Sequence, residues 1–137
     1  MLEFKDTFNT QKCYTRLIDE YNTHKNLIIA FDFDNTVFDY HNKGYKFDSA
    51  ISLLKECSDL GLTMVLFTCN DDEKTLSLHR EFLSSKGIRV DYVNESPIMQ
   101  TKKPYYNILL DDRAGLSESF RILANVIDFI KYKKLCK

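Results

Sequence analysis

Short apolar runs alternate along the chain with stretches whose apolar residues recur at helical spacing. Leu27-Ile28-Ile29-Ala30-Phe31 is such a run and ends in acidic residues, as a buried parallel strand would. From Phe47 onward, Ala50, Ile51, Leu54, Cys57 and Leu60 form a stripe at the helical period, opened by Asp48 as N-cap. Gly61 ends that helix, and Leu62 to Phe67 predicts a second strand. Asn70 or Asp71 caps the next helix, with Glu73 in its first turn and Leu76, His79, Phe82 and Leu83 on its inner face. Gly87 closes it, Ile88 to Val93 predicts a third short strand, and Tyr106 to Leu110 a fourth. Leu116, Phe120, Leu123, Ile127 and Ile130 mark a C-terminal helix. Tyr14, Leu17, Ile18 and Tyr21 form the inner face of a leading helix over residues 10–23.

Gly61 and Gly87 fall where a helix turns into a strand, a place that commonly needs a left-handed residue. The β-α-β-α-β rhythm with short connections predicts an α/β, three-layer, Rossmann-like domain: a parallel sheet with helices on both faces. No repeat, linker or low-complexity stretch interrupts it. The chain therefore reads as one domain, 1–137, with residues 1–26 as an N-terminal helical extension.

Composition narrows the class without naming a function. A chain of 137 residues buries roughly 68% of its unfolded surface, enough for a core without disulfides or a structural metal. With 44% hydrophobic and 28% charged residues, disorder is not expected. The 19 basic and 20 acidic residues leave a charge of −1, so there is no basic excess to hold a nucleic-acid backbone. Lys131, Lys133, Lys134 and Lys137 make a basic C-terminus, read as a solvated end. Met1 to Asp6 lacks a charged-then-apolar leader, and the longest apolar run is Leu27 to Phe31, so a cytoplasmic protein without a membrane partner is expected. Cys13, Cys57, Cys69 and Cys136 are unevenly spaced with no CxxC pair, which fits buried thiols in a reducing compartment.

Ligands of open parallel sheets bind at the carboxyl ends of strands, so the chemistry is sought there. The first strand ends in Asp32-Phe33-Asp34-Asn35-Thr36, the second in Phe67-Thr68-Cys69-Asn70 and the fourth in Asp111-Asp112-Arg113, with Lys102 and Lys103 ahead of the fourth. Asp32, Asp34, Asp111 and Asp112 would converge at one sheet edge, where like charges repel and need compensation. A lysine and a hard divalent cation such as Mg²⁺ would supply it, and with a threonine hydroxyl they would seat a phosphoryl group. Asp32 could then attack phosphorus, and Asp34, two residues on, could serve as acid and base.

In these residues the chain resembles the haloacid dehalogenase-like (HAD) superfamily. Asp32-Phe33-Asp34-Asn35-Thr36 resembles its DxDxT motif, Thr68 its second motif, Lys103 before Pro104 its third, and Leu109-Leu110-Asp111-Asp112 its acidic fourth. The resemblance covers about residues 27–131, which would be the catalytic core. It implies a Mg²⁺-dependent phosphomonoesterase acting through an aspartyl-phosphate, with no further cofactor. Asp32 would be nucleophile and metal ligand, and Asp34 the acid/base, giving its backbone carbonyl to the metal. Thr68 would bond the phosphoryl group, Lys103 would balance charge, and Asp111 would ligate the metal directly, with Asp112 a ligand through water or an orienting group. Val93-Asn94-Glu95-Ser96-Pro97, with Lys103 and Asp111-Asp112-Arg113, is similar to small phosphatase-like HAD proteins of bacteria and phages. Their Trp-Thr-Cys-Arg segment is Phe67-Thr68-Cys69-Asn70 here; Asn70 and Arg113 are candidate substrate contacts.

Many HAD phosphatases insert a cap domain after the first or third strand. Only Val37 to Lys46 and Asn94 to Tyr105 stand at those places, too short for a folded cap. The expectation is a capless core whose open site takes a large phosphorylated substrate or borrows a lid, from a second copy of the chain or from the leading helix. Two other functions compete: a catalytically silent binding module of the same fold, and a nucleic-acid-end phosphatase, which the near-neutral charge does not favour. A phosphorylation-switch receiver would need an aspartate ending the third strand, where Val93-Asn94 stands.

Overall fold

The computed structural model describes residues 9–136; the leader reading of Met1 to Asp6 and the terminal Lys137 lie outside them. Four helices and four strands follow in the order α1 (Thr10–His24), β1 (Ile28–Phe31), α2 (Asp48–Asp59), β2 (Thr63–Leu66), α3 (Glu73–Ser85), β3 (Tyr92–Val93), β4 (Ile108–Leu110) and α4 (Leu116–Leu135). The strands form one parallel sheet in the order β3-β2-β1-β4. Among the described residues, no helix is long and apolar enough to cross a membrane.

Side chains alternate across a sheet, so the register sorts the core into two clusters. Ile29, Met64 and Ile108 stand level on one face, and Phe31, Leu66 and Leu110 in the next row. This face packs into the main cluster with residues of all four helices, including Leu17, Leu54, Leu83, Leu123 and Ile127. The opposite face carries Ile28, Ala30, Val65 and Leu109, and is joined by Phe67, Tyr92, Tyr105 and Tyr106. The Rossmann-like α/β arrangement around a parallel sheet covered on both faces is thus as the sequence predicts, but the third layer is irregular rather than helical. The connection from β3 to β4 carries no helix, and its tyrosines cover that face instead.

The leading helix also departs from its suggested part as a lid. Leu17 and Ile18 put α1 into the main core, and its middle clamps the start of β4. There Asn107 donates from its N–H to Ile28 O (2.9 Å) and accepts the Ile28 N–H on Oδ1 (2.5 Å). Its Nδ2 donates to Glu20 Oε2, and its carbonyl accepts from Arg16 Nη2 at 3.0 Å. Asn107 is buried, so Asn107→Ala would strand the Ile28 N–H and loosen the clamp. The expected loss is about 1–3 kcal/mol, read as a lower urea midpoint with unchanged slope.

Other differences are local. The third strand shrinks to two residues because side chains replace part of its ladder. Asp91 Oδ2 accepts the Met64 N–H (2.8 Å), and Arg89 donates to the carbonyls of Ser58 and Leu62. Asp48 lies in the first turn of α2, whose cap position is Phe47, with no side-chain bond. Asp72, rather than Asn70 or Asp71, caps α3 by accepting the Thr75 N–H at 2.8 Å. Gly61 and Gly87 both take φ +78°, the left-handed turn expected of them. All four thiols are free, but Cys69 and Cys136 are exposed and only Cys57 is fully buried.

Candidate functional site

The carboxyl ends of β1 and β4 lie side by side, with the Asp32 N–H donating to Leu110 O at 2.9 Å. The two apolar strands therefore deliver Asp32 and Asp111 to the same edge. One carboxylate oxygen from each of Asp32, Asp111 and Asp112 lies within 4.8 Å of the others. Burial, followed by the charges of Asp111 and Asp112, pushes the Asp32 carboxyl up to about 6 from 3.8, against a backbone hydrogen bond that lowers it. Three hard oxygen donors so close, two of them partly buried and one, Asp32, ionised only with difficulty, fit a small divalent cation.

That shift has a stability consequence with a definite sign. An acid whose folded pKa is raised stabilises the fold only while protonated. Its contribution is complete below about pH 4 and is lost as pH rises through 6. In metal-free buffer, the melting temperature of Asp32→Asn should therefore gain on wild type between about pH 4 and pH 7. A wild-type melting temperature that keeps pace with the variant or gains on it over this window would contradict the assignment.

The loops after β1 and β4 are held by short-range bonds. Asn35 takes φ +62°, tolerated by asparagine, and Phe33 O accepts from the N–H groups of Thr36, Val37 and Phe38. Beyond this tight turn's Phe33, on which His79 of α3 stacks at 3.7 Å, Asp34 lies close enough to His79 for its charge to act on the imidazole. Burial lowers the His79 pKa, and the nearby Asp34 charge partly offsets it. Across the edge, the Asp112 N–H donates to the buried Thr36 Oγ1 (3.2 Å) and the Arg113 N–H to Asp111 Oδ1 (2.9 Å).

A cavity of about 460 Å³ opens in front of Asp32 and Asp111, bordered by Thr68, Cys69 and the segment after β3. Thr68 Oγ1 accepts from both the N–H and Nδ2 of Asn70, at 3.3 and 3.1 Å, which leaves its own proton free to donate. Asn94, at φ +54°, ties the loop down from below. Its Oδ1 accepts the Thr68 N–H (2.8 Å) and its Nδ2 donates to Asn70 O (3.2 Å). The sequence placed Asn94 in a recognisable stretch without giving it this work. Its position just past a strand end was the available signal.

Of the expected site residues, Asp32, Thr68 and Asp111 line the cavity. Asp112 joins their acidic group from a neighbouring hollow between α2 and α4. Asp34, Asn70 and Arg113 lie outside the lining; Asn70 supports Thr68, and Arg113 meets the site through its backbone. The lysines exchange places: Lys102 borders the cavity, whereas Lys103, chosen for its neighbouring proline, does not. The Lys103 carbonyl instead accepts from Thr101 Oγ1 at 2.6 Å.

No family model matches the chain, and no curated protein matches it. Among solved structures it is similar to a conserved protein coded by a locus from Bacteroides thetaiotaomicron. The two share 22% identity and a TM-score of 0.57 over 79% of this chain and 92% of that one. What that likeness shows is a common α/β fold.

Proposed function

We propose that the chain is a phosphomonoester hydrolase of the HAD type, working through an aspartyl-phosphate with Mg²⁺ as cofactor. The observation that carries this reading is the meeting of Asp32, Asp111 and Asp112 at one sheet edge, where Asp32 and Asp111 line one cavity with Thr68. The ordered motifs around Asp32, Thr68, Lys102-Lys103 and Asp111 support it independently.

The three carboxylates would hold the cation, which supplies positive charge to the phosphoryl oxygens and lets Asp32 stay ionised. Asp32 attacks phosphorus, forming an acyl phosphate as the bond to the leaving oxygen breaks. The motif resemblance gives Asp34, which lies outside the cavity lining, the transfer of a proton to that oxygen and then from the water that attacks the acyl phosphate. Inorganic phosphate leaves and Asp32 returns as a carboxylate. Thr68 donates its free hydroxyl proton to a phosphoryl oxygen, and Lys102 offers charge from the cavity rim.

Phosphate release from an aryl phosphate should require Mg²⁺ and stop with chelator. Added Mg²⁺ should also raise the melting temperature near pH 7 for wild type, and less so for Asp111→Asn. Turnover that persists in chelator, or equal shifts in both proteins, would sink the cation's part in this reading.

A further inference from the structure

We infer that the ester taken by this site is small and carries a single phosphate on an uncharged, ring-bearing body, the size and chemistry of a nucleoside monophosphate. The inference rests on the phosphatase reading above and concerns what the Asn94–Pro104 segment does for it. A capless core would leave Asp32 open to any large substrate. Here the segment that runs from β3 to the tyrosines on the second sheet face walls the cavity beside the acidic edge.

The wall is built rather than draped. The Asn94 N–H donates to Leu66 O, and buried Ser96 accepts on Oγ from the N–H groups of Met99 (3.4 Å) and Tyr105 (3.2 Å). The space it bounds, about 460 Å³, is within the range of roughly 300–1,000 Å³ of small-molecule sites.

The lining then describes the body of the ester. Phe67, Met99 and Pro104 form an apolar wall, with the Phe67 ring backed edge-on by Tyr106 at 6.0 Å. Met99 remains 43% exposed although it faces the cavity, so a ring seated there would cover apolar surface now in water. Charge limits the rest. Lys102 is the cation on the lining, while Asp32, Asp111 and Glu95 are acidic. With the first two committed to phosphate chemistry, Glu95 repels a second anionic group and accepts from hydroxyl or amino groups. A triphosphate or an oligonucleotide brings extra charge that, among the described residues, no second cation on the wall neutralises.

The test compares kcat/KM for a nucleoside 5′-monophosphate, the matching triphosphate, ribose 5-phosphate and a 5′-phosphorylated oligonucleotide. The monophosphate is expected to lead ribose 5-phosphate by about tenfold or more, a difference within the reach of apolar contacts. Met99→Ala should shrink that lead mainly through KM, and Glu95→Lys should improve KM for the triphosphate. Equal rates for the nucleotide and ribose 5-phosphate, a lead untouched by Met99→Ala, or preference for the oligonucleotide would overturn the inference. If no ester is hydrolysed, the phosphatase reading alone falls. Calorimetric titration of the monophosphate into Asp32→Asn then decides: binding weakened by Met99→Ala supports the inference, and no binding overturns it.

Discussion

Asp32→Asn is expected to lower phosphate release by roughly 10⁴-fold or more, because it removes the atom that forms the covalent intermediate. The side chain keeps its size and its place after Phe31, so positioning of the remaining groups is preserved. The substitution also removes a carboxylate that burial and the charges of Asp111 and Asp112 oppose. In metal-free buffer above about pH 6, the variant should therefore melt no lower than wild type and is expected to melt higher. Lost activity with retained stability separates a chemical role for Asp32 from a structural one. Hydrolysis by the variant at the wild-type rate would end the nucleophile assignment, whereas a large fall in its melting temperature would mean that Asp32 holds the sheet edge together.

The second large effect lies one residue earlier. Phe31 is completely buried, level with Leu66 and Leu110 on the helix-covered face, and forms the last residue of the central strand. Phe31→Ala should cost about 3–5 kcal/mol, from lost transfer energy and the cavity left between three strands and the helices. That is a sizeable part of the roughly 5–15 kcal/mol that holds an ordinary domain folded. Urea unfolding would register it directly, and Phe31→Leu, which keeps most of the volume, should recover all but about 1.5 kcal/mol. A loss below about 1.5 kcal/mol for the alanine variant would show that the site collapses around the gap, contrary to the packing described.

The two predictions mark what was readable in advance. Leu27 to Phe31 followed by Asp32 announces a buried strand handing an acid to the sheet edge, because continuous apolar runs and strand-end acids are properties of adjacent residues. The helical stripes and the turns at Gly61 and Gly87 were legible for the same reason. Where side chains compete for the same bond, the order along the chain did not decide. Asn70, Asp71 and Asp72 can each cap a helix, and Asp72 does so while Asn70 is engaged with Thr68. Asp91 and Arg89 shorten β3 by satisfying backbone groups from across the fold, which no local pattern announces. Lys102 and Lys103 are adjacent in an irregular segment, so only its folded path tells which one borders the cavity. The second sheet face was expected under helices because parallel strands usually are; here tyrosines far from β1 in sequence cover it.

The clamp around Asn107 bears on how copies of this protein behave at high concentration. An open sheet ends in two strands whose outward backbone groups can recruit a strand from another molecule. On one side the terminal strand, β3, is two residues long. On the other, Arg16 occupies the Asn107 carbonyl at the entrance to β4, and α1 packs with α4 beside it. Among the described residues, neither border offers a long free row on which a foreign strand could grow, so the sheet resists the edge-to-edge stacking that begins fibril formation.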